Sequence, residues 1–189
     1  SLAMIDLERA DLEAAAALLD KSPPDAAGGE PLHAAALHAT RARLFELRGD
    51  LKAARLANEQ ALGLRQKSAV AAWVDVSELD LARIDLLEGE LTRAEVTCRR
   101  LAQRMEDPRD AAAAELLLAQ VLIARDRRSE AARLLENSTL RRLDGHPDAA
   151  LVLESELMLA LAFGADRERL AMMRETAERG DFQLLALRA

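Results

Sequence analysis

The sequence predicts an all-α protein made of one helix hairpin repeated along the chain, and three observations predict it. The 189 residues hold three Phe, one Trp and no Tyr, whereas a sheet-based core of that size leans on aromatic and β-branched side chains. Ala, Leu, Arg and Glu dominate instead, all good helix formers. A turn followed by a thin, Ala-rich helical start recurs as RADLEAAA at Ala10, RGDLKAAR at Gly49, EGELTRAE at Gly89, RDRRSEAAR at Asp126 and FGADRERLA at Gly164. Those anchors lie 39, 40, 37 and 38 residues apart, and a fixed period is the signature of a repeat architecture. Finally, Pro23, Pro24, Pro31, Pro108 and Pro147 all fall in the other set of connections. Pro is tolerated at a helix start and Gly just past its end, so this distribution marks where hairpins begin and turn.

Taken in order, residues 1–9 read as the tail of a helix whose partner covers Asp11–Lys21. The stretch SPPDAAGGE (Ser22–Glu30) is a Pro/Gly-rich linker. A long helix at about Pro31–Arg48 then pairs with Asp50–Arg65, where Gly49 stops one helix and Asp50 caps the next. The following pair is about Ser68–Glu88 with Glu90–Glu106. Pro108–Arg125 pairs with Arg128–Arg141, and Pro147–Phe163 with Asp166–Arg179. A further helix opens at 181–189. The hairpins are thus expected at 1–21, 31–65, 68–106, 108–141 and 147–179, within one domain over 1–189.

Apolar spacing supports these assignments. Leu91, Ala94, Cys98, Leu101 and Met105 alternate by three and four and form one stripe. In the helix before them Val70, Trp73, Val74, Leu81 and Ile84 make one stripe, while Val76, Leu79, Leu86 and Leu87 lie on other sides. A helix that is apolar on two sides needs neighbours on two sides, which stacked hairpins supply. The run Ala111–Ala124 is the most apolar; at 14 residues it is short of the roughly 20 that cross a bilayer and reads as a helix buried on most sides. The chain starts inside a helix and ends on FQLLALRA with no polar cap, so it reads as a piece of a longer protein.

A formal net charge of −7 argues against a nucleic-acid surface, which needs a basic stripe. The single Cys excludes an internal disulfide and fits a reducing, cytoplasmic setting, and the first residues carry no secretory pattern. The sequence contains no GxSxG, Gly-rich phosphate loop, HExxH or CxxC pattern, so a catalytic role, a cofactor and a metal are not expected. His33 and His38 are five apart and do not share a helix face, and His146 precedes Pro147 in a turn. Cys98 falls inside the apolar stripe and reads as a buried thiol. RGD at Arg48–Asp50 reads as a helix stop and start rather than an adhesion tripeptide. Arg99–Arg100, Arg127–Arg128 and Arg141–Arg142 read as solvated faces. Asp75, Glu78 and Asp85, with Arg83 nearby, form a loose acidic line on one helix.

Ala39–Leu62 resembles a tetratricopeptide-type repeat. Ala42 stands at the small mid-helix position, Phe45 at the aromatic three on, Gly49–Asp50 at the turn, and Ala54 and Ala61 at the small positions of the second helix. Around Gly89 the positions Ala82, Ala94 and Leu101 match, with Asp85 where the aromatic would stand; around Asp126, Ala119, Leu122 and Ala131 match; around Gly164, Ala177. The first-helix Trp of such repeats has no counterpart, since Trp73 stands several residues too early. The period of 37–40 is longer than the standard repeat and is similar to the hairpins in the superhelical sensor domain of MalT-like, LuxR-type ATP-dependent bacterial regulators. The resemblance implies a right-handed α-α superhelix and a non-catalytic sensor or interaction module that binds a protein, a peptide or a small effector. It implies no direct nucleic-acid or membrane contact by this segment, and leaves a homo-oligomer open. It also implies a concave wall formed by the first helix of each hairpin: Ala39, Arg43 and Glu46, then Leu79, Arg83 and Leu86, then Leu116, Gln120 and Ile123. Arg43 and Arg83 would be its anchors for an acidic partner.

Overall fold

The turn anchors at Gly49, Gly89, Asp126 and Gly164 all adopt left-handed backbone, with φ of 80°, 83°, 59° and 73°. They do so in a computed structural model that describes residues 11–21, 31–68, 71–139, 149–164, 168, 170–172 and 174–175. A left-handed residue after a helix lets the next amides turn back onto the orphan carbonyls of the last turn. Accordingly the Gly49 amide donates to the Glu46 carbonyl at 3.0 Å and the Asp50 amide to that of Phe45 at 2.9 Å. Asp126 repeats the pattern without glycine, the Asp126 and Arg127 amides reaching the Ile123 and Leu122 carbonyls. Asp is among the few residues with a side chain that tolerate this conformation.

Every regular element among the described residues is helical: α1 Leu12–Asp20, α2 Pro31–Leu47, α3 Leu51–Lys67, α4 Ala71–Leu87, α5 Leu91–Arg104, α6 Pro108–Ala124, α7 Arg128–Glu136 and α8 Ala149–Phe163. The carboxylates of Asp11, Asp50 and Asp107 cap α1, α3 and α6 by accepting from the amides of Ala14, Ala53 and Arg109 respectively, which satisfies donors that a helix start leaves open. The chain divides into two compact units, Ser1–Gly89 and Glu90–Ala189. Within the first, α1 packs on α2, α2 on α3 and α3 on α4; within the second, α5 packs on α6, α6 on α7, α7 on α8, and α6 also on α8.

Side-chain bonds fix the helix directions. Arg41 donates to the Leu19 carbonyl at 3.1 Å while Arg48 meets Glu13, so α1 and α2 run antiparallel. Arg55 near the start of α3 meets Asp85 and Glu88 near the end of α4, and Arg65 near the end of α3 meets Ser77. Glu95 near the start of α5 meets Arg125 beyond α6.

Counting from the residue just before each second helix (Asp11, Asp50, Glu90 and Arg127), the fourth position is Ala15, Ala54, Ala94 and Ala131. All four are completely buried. A methyl is all that such a fully buried position admits, since interiors pack at crystal-like density. The eighth position is Leu19, Asn58, Cys98 and Leu135, again all buried, so the thiol is the core residue that its spacing predicts. In the first helices, Leu44, Ile84, Val121 and Leu159 stand five residues before the left-handed residue, and all are buried. The first helix of the last hairpin thus keeps register where its sequence resemblance had faded. The helix α6 buries nine of its residues, Ala111, Ala112, Ala114, Leu116–Ala119, Val121 and Leu122, as its continuous apolar run predicts.

Several boundaries and faces differ from the sequence expectation. The second helix of the fourth hairpin stops at Glu136, not near Arg141. Asn137 caps it with its own side chain on the Arg133 carbonyl, and Thr139 is drawn away by the carboxylate of Glu115, which takes both its amide and its hydroxyl. Ser68 closes α3 rather than opening α4, its hydroxyl donating to the Arg65 carbonyl at 2.7 Å. Trp73, expected in a buried stripe, is exposed, and the buried face of α4 instead carries Asp75, Ser77 and Asp85 among its apolar residues. The expectations for residues 1–9, Ser22–Glu30, Val70, Arg141–Arg142, His146, Ala177 and 181–189 lie outside the described residues. Of the final second helix, the described residues 168, 170–172 and 174–175 are helical.

Candidate interaction surface

Three helical positions, ten, six and three residues before the left-handed turn, define the wall that the first helices would offer. In the first unit they are Ala39, Arg43 and Glu46 on α2, and Leu79, Arg83 and Leu86 on α4. Ala39, Arg43, Glu46, Arg83 and Leu86 are half-buried, while Leu79 is core. Glu46 is the centre: its side chain is 7% exposed. Arg43 donates to it from one turn earlier on the same helix, and Arg83 donates Nε to Oε1 and Oε2 at 3.1 and 3.0 Å. Arg83 also holds Asp80 at 2.7 Å. Burial opposes the charge on Arg83, but Asp80 and Glu46 outweigh it and hold the guanidinium above the ordinary arginine range.

This cluster pairs two guanidiniums with two carboxylates. Arg43 and Arg83 therefore come together as the repeat register requires, but their charge is already met from within the protein. An acidic partner there would compete with Glu46 and Asp80. Asp80 was missed by the sequence reading, although its spacing of three from Arg83 is that of an intrahelical pair.

In the second unit the same positions are Leu116, Gln120 and Ile123 on α6. Leu116 is core, whereas Gln120 and Ile123 are half-buried. Gln120 donates from Nε2 to Glu154 on α8 at 2.9 Å. Glu154 stands ten residues before Gly164, a position that carrying the register one hairpin further would have found.

The acidic line on α4 is divided between buried and half-buried positions. Asp75 and Asp85 are buried and Glu78 half-buried, and Asp85 is turned toward Arg55 of α3. Between α3 and α4 lies buried Arg65, whose Nη1 donates to the Ser77 hydroxyl at 2.7 Å and whose guanidinium carbon is 5.5 Å from the Trp73 ring centroid. Burial lowers its pKa against a smaller opposing effect of Asp80. Its Nε and the Asn58 Oδ1 have no hydrogen-bond partner among the described residues.

Around the turn between α6 and α7, Glu95 accepts from Arg99 at 3.0 Å, from Arg125 at 2.9 Å and from Arg127 at 2.8 Å. Glu130 takes the other side of Arg99 and Arg127. Arg99, Arg127 and Arg128 are thus each paired with carboxylates in the fold. Among the described residues no three His, Cys, Asp or Glu side chains gather as a metal site, and no helix is long and apolar enough to cross a membrane. The chain matches no protein-family model and no curated protein sequence.

Proposed function

We propose that the chain is a non-catalytic interaction module: a tetratricopeptide-like array whose hairpins continue as a right-handed superhelix and whose first helices take up a peptide or protein. What supports this reading is that first helices of successive hairpins are tied side by side in matching register. Glu46 meets Arg83 across 37 residues, and Gln120 meets Glu154 across 34. Parallel first helices held edge to edge present a wall, and a wall of mixed polar and apolar residues recognises an extended or helical segment through many modest contacts. Because the arginines on it carry internal counter-ions, the partner's chemistry is polar and mixed in sign rather than strongly acidic. The resemblance to MalT-like regulators makes a sensor segment of a bacterial regulatory protein the setting we favour.

The test is selection of binders from a displayed random-peptide library, followed by titration against wall variants. Arg43→Ala with Arg83→Ala, and separately Gln120→Ala, are expected to weaken selected peptides about tenfold or more, the size of a good interface contact. Lys52→Ala and Arg133→Ala, on the second helices, are expected to leave them unchanged. Binding that responds only to the second-helix variants would refute the wall.

A further inference from the structure

The residue just before each left-handed turn residue is charged in three successive hairpins and reaches back to the preceding second helix. Arg48 meets Glu13 at 3.0 Å, Glu88 meets Arg55 at 2.7 Å, and Arg125 meets Glu95 at 2.9 Å. Arg55 and Glu95 occupy the same position, five residues after Asp50 and Glu90, and carry opposite charge. The second helix is therefore negative, then positive, then negative, and the helix end it meets is positive, then negative, then positive. Asp85 reinforces the middle seam and Arg127 the third.

Stability alone does not account for the pattern. In the first seam the Glu13 and Arg48 side chains are 92% and 37% exposed, and exposed ion pairs add little. Choice of neighbour does account for it. These hairpins share their turn geometry and their buried alanines, and apolar packing between such similar faces is non-directional. A second helix that docked one hairpin too far along would meet its own sign: Glu13 would face Glu88 with Asp85, and Arg55 would face Arg125 with Arg127. Juxtaposed like charges discriminate against the wrong partner even where the correct pair contributes little. We propose that the alternating sign of these seams is a pairing code, which directs each hairpin onto its immediate neighbour, within a chain and between copies of it.

The code is tested by copying a sign rather than by deleting a charge. Arg55→Glu with Asp85→Leu and Glu88→Arg turns the middle seam into the pattern of the third, in which Leu122 stands where Asp85 does. Glu13→Arg with Arg48→Glu gives the first seam the sign of the second, at surface positions that do not endanger folding. Both variants keep the ion pair of the altered seam attractive. They are expected to melt close to the wild-type chain yet, on refolding from denaturant, to shift the size distribution toward swapped or misassembled species by about twofold or more. The neutral first seam, Glu13→Gln with Arg48→Gln, is expected to shift it less than the sign-copied one. A sign-copied first seam that refolds with the wild-type distribution overturns the proposal, whatever the triple variant does. So does a neutral seam that disturbs refolding as much as the copied one.

Discussion

Asn58 shows what one residue costs when it breaks the repeat. The other hairpins place Leu19, Cys98 and Leu135 at its position, and all are buried. Asn58 is buried equally, with an amide oxygen that finds no hydrogen-bond partner among the described residues. An unmet buried acceptor costs roughly 1–3 kcal/mol, so Asn58→Leu is expected to stabilise the protein by about 1 kcal/mol after some loss to imperfect packing. Urea unfolding measures it; a lower midpoint would show that the Asn amide is held by a bond that the Leu removes. The buried alanines lie at the other extreme. Ala54→Arg or Ala94→Arg forces a long charged side chain into a fully buried position and is expected to cost about 2–5 kcal/mol. A wild-type melting curve for either would mean that the position is not closely packed.

At the scale of elements, the joint of α5, α6 and α7 depends on one carboxylate. Burial alone would raise the pKa of Glu95, but its bonds from Arg99 and Arg127 outweigh burial and hold it below the ordinary 4.5. Its folded pKa is thus depressed, so the stability it contributes is present above the unfolded value and is lost as pH falls through the folded one. Glu130 shifts the same way, held by Arg99 and Arg127. Glu95→Gln is expected to lower stability at pH 7 by about 1–2 kcal/mol, a modest figure because its arginines are partly solvated. The gap between variant and wild type should close as the pH drops below about 4.5. Thermal melts of both proteins from pH 7 into the acid range check this, and a gap that does not narrow as the pH falls below about 4.5 would assign the effect to packing.

Element boundaries also show what was legible in the sequence. Turns were legible because the left-handed conformation restricts residue type: Gly49, Gly89 and Gly164 announce themselves, and Asp126 is found through the period. The alanines were legible because a tight contact admits only small side chains. The end of α7 was not, because Thr139 is claimed by Glu115, 24 residues away, and local propensity carries no trace of a distant acceptor. The inner face of α4 was misread for the same reason. Asp85 is inside because Arg55 on another helix meets it there, so a polarity pattern assigns it to the wrong side. In the candidate wall, register placed Arg43 and Arg83 together, but only the fold shows that Glu46 and Asp80 already neutralise them.

On the scale of the whole chain, contacts in each unit run mainly from one helix to the next in sequence. Stability in such a chain is a sum of hairpin terms and nearest-neighbour terms, so a local insult need not be shared by all hairpins. Ala54→Arg damages the contact of α3 with its neighbours. Its amide hydrogen exchange is therefore expected to rise first in α2, α3 and α4, by about tenfold for each 1.4 kcal/mol lost from the opening energy. Amides of α6 and α8 should hold their wild-type protection under the same native conditions. The reciprocal variant, Ala131→Arg, should reverse the pattern, loosening α6, α7 and α8 and sparing α2 and α3. Mass-spectrometric exchange on peptides from each helix reads both variants against wild type. A uniform rise along the chain in both would mean that the hairpins open as a single cooperative block, and that the repeat in the sequence does not translate into separable units of stability.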